Sequence, residues 1–118
     1  MASAQERLYQ RVTRALEDDI LSGLIREGEP VPSTNQCAAY YNINPATAAK
    51  GIAQLTERGL LFKKRGLGMF VSEGARDILL ADRRAAFRET YLEPLLAEAR
   101  QLGVSKQDLV AILVSGEK

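Results

Sequence analysis

The stretch Asn42-Ile43-Asn44-Pro45 constrains this chain more than any other part of it. Asn42 can adopt the left-handed conformation that stops a helix. Asn44 is a good N-cap, and Pro45 fits the first helical position because its missing N–H would have had no partner there. One helix therefore ends and another begins within a single short connection.

The neighbouring segments extend that pattern. Residues 5–22 read as a helix, with Leu8, Val12, Leu16 and Ile20 recurring at i+4 and Ala15 and Leu24 beside them. Ser22-Gly23 suits its end, and residues 26–32 form a loop broken by Gly28, Pro30 and Pro32. Ser33 and Gln36 make a capping box for a short second helix with Cys37, Ala38 and Tyr41 inside. The third helix is expected to reach about Arg58, with Gly59 as its stop. Helical spacing puts Ala48, Ala49, Ile52 and Leu55 on one side and Thr47, Lys50, Gln54 and Arg58 on the other. Two short strands follow, 60–64 and 69–72, joined by Arg65-Gly66-Leu67-Gly68, where the glycines permit positive φ.

Residues 75–102 are helical again, kinked or restarted at Pro94 and ended by Gly103. Ser105 caps a last helix with Leu109, Ile112 and Leu113 as its expected inner face. The fold class is mainly α with a small β-hairpin: a winged helix-turn-helix over 1–74 and a short helical dimerisation segment over 75–118.

Composition narrows the function. The net charge is +1, but residues 44–74 hold five basic against two acidic side chains, while 1–43 total −2 and 75–118 total zero. The positive potential is local, as a groove-binding face requires. His is absent, which removes the commonest general base, the Ser–His and Cys–His pairs and most zinc sites. Asp18 and Asp19 are adjacent and point to different sides of a helix, so they make a poor carboxylate pair. An enzyme is disfavoured, and no metal or cofactor is expected. The single Cys allows no intrachain disulfide, and no signal peptide or membrane span is legible, so the expected location is the cytoplasm.

The third helix is the expected recognition helix, because the N-terminal residues of such a helix reach base edges in the major groove. Asn44 suits adenine, Lys50 suits guanine or a phosphate, and the Thr47 methyl suits a thymine methyl; Ala46 stands among them. Lys63, Lys64 and Arg65 at the hairpin tip suit phosphates and a narrow minor groove. Gly51 has two readings: it lets the helix approach the DNA backbone, or it is a tolerated neutral residue.

The series Leu21-Ser22-Gly23-Leu24, Gly28-Glu29-Pro30-Val31-Pro32-Ser33, Ile43-Asn44-Pro45-Ala46-Thr47, Leu55-Thr56-Glu57-Arg58-Gly59-Leu60-Leu61 and Arg65-Gly66-Leu67-Gly68-Met69-Phe70-Val71 resembles the DNA-binding domain of the GntR family of bacterial transcription regulators. The tail from Leu95 to Ser105 is similar to the short-tailed YtrA-like subfamily. The resemblance implies a homodimeric regulator, usually a repressor, on a palindromic operator. It implies DNA contacts from Asn35, Asn44, Ala46, Thr47, Lys50, Arg65 and Gly66, to which Ser33 and Lys64 are added. Asn35 stands where the family frequently has Arg, and Ala46 where a polar residue is common.

A 44-residue tail can hardly enclose a ligand pocket of the usual ~300 Å3 or more by itself. Phe87, Tyr91, Leu92, Leu95 and Leu96 are therefore the expected dimer interface, against the alternative that they cover the chain's own first helix. Arg83 and Arg84 form either a solvated face or an anion site, and Cys37 either a buried thiol or a redox switch. Two other functions stay open: a winged-helix module for protein or RNA, and a small-molecule sensor with its pocket at the dimer interface.

Overall fold

The computed structural model describes residues 4–116. Met1–Ser3, at the start of the expected DNA-binding domain, and Glu117 and Lys118, at the end of the expected tail, lie outside them. Helix α1 spans Ala4–Ser22, α2 Thr34–Tyr41 and α3 Pro45–Glu57. Strands β1 (Leu61–Lys64) and β2 (Gly68–Val71) pair antiparallel, Leu61 opposite Val71 and Lys64 opposite Gly68. Helices α4 (Ala75–Phe87), α5 (Glu93–Leu102) and α6 (Lys106–Ser115) follow. This is a winged helix-turn-helix with a helical tail.

The punctuation works as local chemistry demands. The Ser33 hydroxyl accepts from the Gln36 N–H, and the Gln36 side chain accepts from the Ser33 N–H. Asn42 takes φ 54° and ψ 52°, so the second helix ends in the left-handed conformation. The loop before α2 does more than its composition suggested. Gly28 N–H donates to Val71 O, Val71 N–H to Glu29 O, and Val31 N–H to Met69 O. Residues 28–31 thus lie along β2 as a third edge segment, and Val31 is buried.

The chain forms two compact units, divided between Ala81 and Asp82 inside α4. In the first, Val12, Leu16 and Ile20 of α1 meet Ala48, Ile52 and Leu55 of α3, with Leu60, Leu61 and Val71 of the hairpin. Ala75 and Leu79 join this core, and Arg76 donates to the Leu21 carbonyl, so the first turns of α4 belong to it. Leu24, expected beside the apolar stripe of α1, is exposed beyond the helix end.

In the second unit, Arg88–Leu92 form a π-helical turn before α5. Pro94 cannot donate to the carbonyl four residues back, and the Glu93 N–H bonds the Arg88 carbonyl instead. Helix α6 starts at a Ser105–Asp108 capping box. Its expected inner face is corrected: Ile112 and Leu113 are exposed and only Leu109 is half-buried. Among the described residues no helix is long and apolar enough to cross a membrane.

Candidate nucleic-acid interface

The start of α2 offers donors. The Ser33 oxygen is used in the cap, but its O–H can still donate outward. Asn35 is exposed in the first turn of α2, where unsatisfied N–H groups favour an anion.

On α3 the structure rotates the expected faces. Thr47 is only 7% exposed and Gly51 is buried, whereas Ala49 is exposed. The outward stripe is Ala46, Ala49, Lys50 and Ala53, residues spaced by three and four. Thr47 therefore leaves the set of exposed groups offered to a base. Arg58, also assigned to the outer face, is ion-paired with the nearly buried Glu17 of α1. The physical reason is the close approach of α1. A Cβ on Gly51 would lie 3.0 Å from the Tyr9 carbonyl oxygen and 3.2 Å from the Val12 Cβ. The Thr13 hydroxyl donates to the Gly51 carbonyl at 3.1 Å. Small or satisfiable polar groups are what such a contact admits, and they look like surface residues in a sequence. Gly51 is thus neither a DNA-approach glycine nor a neutral one; it serves helix packing.

Asn44 also has a local task. Its Oδ1 accepts from the Ala46 N–H at 2.7 Å. A bidentate adenine contact needs both Oδ1 and Nδ2; the cap takes one lone pair of Oδ1, and the second lone pair and the amide N–H groups remain to serve a base.

The wing presents Lys63, Lys64, Arg65 and Gly66 to solvent. Its turn is closed by Leu67 N–H to Lys64 O at 2.9 Å, with Gly66 at φ +79°. Lys64 Nζ sits 4.3 Å from the Phe70 ring centroid and 5.8 Å from that of Phe62. An open groove of about 570 Å3 joins the parts: Ser33 and Thr34 from α2, Ala49 and Ala53 from α3, Lys63 and Met69 from the hairpin. A larger groove of about 670 Å3 runs past Asp18, Asp19, Tyr40 and Tyr41; among the described residues its lining has two carboxylates and no basic side chain, whereas the first groove sets Lys63 against a single carboxylate, Glu57.

Other candidates settle as packing. Cys37 is buried with its sulfur 3.9 Å from the Pro32 carbonyl, and burial pushes its thiol pKa up, away from a reactive thiolate. Tyr41 is half-buried and meets the exposed Tyr40 edge-to-face at 4.8 Å. In the second unit Phe87, Tyr91 and Leu95 are exposed, Leu92 and Leu96 half-buried, and the Phe87 and Tyr91 rings lie 5.8 Å apart. Sequence reasoning missed Ala49 and Ala53 as outward residues, and Tyr9 of α1 as a neighbour of Lys50. No signal in the sequence marks that stripe, because alanine suits either face of a helix.

Residues 8–71 match the family described as bacterial regulatory proteins, gntR family. The chain is 26% identical over 102 residues to the HTH-type transcriptional repressor YtrA of Bacillus subtilis, an alignment covering 86% of this chain and 78% of that one. A GntR-family regulator from Bacteroides thetaiotaomicron has the same fold, with a TM-score of 0.70 over 91% of this chain and 93% of its own, at 24% identity. The DNA-binding domain of AraR, solved in complex with operator ORR3, is 28% identical with a TM-score of 0.52, covering 54% of this chain and 77% of that one. The family is one of regulators, not of enzymes. With more than half of its length matched, the chain belongs to the GntR family of bacterial regulatory proteins.

Proposed function

We propose that the chain is a sequence-specific transcription repressor that binds a palindromic operator as a homodimer. The observation that carries this is the shared surface: Ser33 and Thr34 at the start of α2, Ala49 and Ala53 of the outward stripe and Lys63 of the wing line one groove, and Lys50 and Arg65 are exposed on the same α3 and wing. In this reading α3 enters the major groove, and Ala46 and Ala49 meet thymine methyls. Asn44 donates to a base or phosphate, while Ser33 and Asn35 hold phosphates. Lys64, Arg65 and Gly66 follow the backbone into the minor groove. Repression extends from the similarity to the repressor YtrA, and a cytoplasmic site of action goes with binding DNA in a bacterial cell.

Dimerisation rests on exposure in the second unit, where Ala99 is the one buried residue among those described. Phe87, Tyr91, Leu92, Leu95 and Leu96 of two copies bury one another about a two-fold axis and present two recognition helices to two half-sites.

Fluorescence anisotropy on the DNA upstream of the chain's own coding sequence tests the reading. Lys50→Ala and Arg65→Ala each weaken binding by roughly tenfold or more, with the fold intact by circular dichroism. Wild-type affinity in both variants overturns it.

A further inference from the structure

Lys50 belongs to the outward stripe of α3, yet its ammonium turns sideways. Nζ lies 4.5 Å from the ring centroid of Tyr9, on α1. That distance is within the range where the negative face of an aromatic ring attracts a cation. The placement follows from the contact next to it. Gly51 brings the two helices so close that a Cβ there would be 3.0 Å from the Tyr9 carbonyl, and the Thr13 hydroxyl ties the Gly51 carbonyl to α1. Tyr9 is half-buried on a helix fixed by the core, so its ring is a set feature beside a long, mobile side chain.

In helix-turn-helix proteins the second helix of the pair enters the major groove, while the helix in front of it crosses the sugar-phosphate backbone. The Lys50 ammonium is held toward α1, off the line of the outward stripe of α3, which takes it away from the groove's floor and toward the phosphates that wall it. Lys also suits that place chemically: it is a compact point charge, well matched to a phosphate and without the planar fork of Arg. We propose that Tyr9 is a positioning residue that holds Lys50 for a phosphate, leaving sequence discrimination to Asn44 and the alanine stripe. This rests on the DNA-binding reading above.

The test compares Lys50→Met, Tyr9→Leu, Tyr9→Phe and the double variant Tyr9→Leu/Lys50→Met. Binding is measured on an operator duplex and a scrambled duplex at several salt concentrations. Lys50→Met weakens both duplexes alike, and the slope of log K against log salt becomes shallower by about 0.9. Tyr9→Leu weakens binding by roughly threefold, and Tyr9→Phe stays at wild-type affinity because it keeps the ring. The double variant binds as Lys50→Met does, because Tyr9 acts only through Lys50. A readout without DNA accompanies these: the Lys50 ε-methylene protons are shifted upfield by the ring in wild type and Tyr9→Phe, and not in Tyr9→Leu. A further loss in the double variant over Lys50→Met makes Tyr9 merely structural and overturns the assignment. Loss of operator preference in Lys50→Met makes Lys50 a base reader and overturns it too. A wild-type chain that binds neither duplex overturns the DNA-binding reading itself, and this assignment with it.

Discussion

The two compact units use the same devices to start helices and differ in what those helices then bury. Ser33 with Gln36 in the first unit and Ser105 with Asp108 in the second are both complete capping boxes. The first unit closes a core from Val12 to Leu79, in which Ile20, Leu55, Leu60 and Val71 are fully buried. In the second, Phe87, Tyr91, Leu95, Leu102, Val110, Ile112, Leu113 and Val114 all face outward. Caps decide where a helix begins; they do not supply a second layer to cover it. A segment of a few dozen residues has too much surface for its volume to close a core of its own.

The largest expected effect separates the units by stability. Leu55→Ala, at a fully buried site of α3, lowers unfolding free energy by about 2–5 kcal/mol in urea denaturation. Leu113→Ala, at an exposed site of α6, changes it by less than about 0.5 kcal/mol in dilute chain. Comparable losses at the two sites would break the contrast.

The next effect reads what covers the tail. Leu95→Glu puts an unpaired charge from each copy into the proposed shared face and is expected to raise the dimer dissociation constant roughly a hundredfold or more. Sedimentation velocity then shows a single-chain mass where wild type shows twice that mass. A wild-type chain that sediments as a monomer at high concentration removes the shared face altogether.

Gly51→Ala sharpens the account of the first unit. Alanine in an open helix is worth roughly 0.5–1 kcal/mol over glycine. Here the added methyl meets backbone, and overpacking of this kind costs about 1–3 kcal/mol, so thermal unfolding shifts downward. An upward shift would mean that α1 and α3 are not held at this distance.

The smallest effect belongs to Asp19. Burial, followed by repulsion from Asp18, raises its carboxyl pKa above the ordinary 3.8. The native state then holds its proton more tightly than the unfolded chain, so stability falls as pH rises from 3.8 through the raised value. Asp19→Asn is slightly more stable than wild type at pH 7, and the gain shrinks as pH drops below 4. A gain that grows on acidification reverses the sign and the explanation.

Much of this was legible without coordinates. Helix limits followed from Ser33, Asn42, Asn44, Gly59 and Ser105, because caps and turns are settled by groups within a few residues of one another. The basic hairpin was legible for the same reason. The identity of the outward face of α3 was not. Thr47 and Gly51 read as polar or neutral surface, and Ala49 as core, because periodicity locates a stripe only when side chains differ strongly in character. In a helix of mostly small residues they do not.

What the sequence determined by itself is where the first three helices, the hairpin and α6 lie, and that positive charge collects on the recognition helix and wing. Tertiary structure decided which face of α3 is presented, that Arg58 is spent on Glu17, and that the start of α4 belongs to the reader's core. The division has one cause. Capping and turn chemistry act over a few bonds, whereas the choice of a face depends on how closely α1 approaches, and that distance is set by Gly51 and Thr13 meeting Tyr9 and Val12 across the fold.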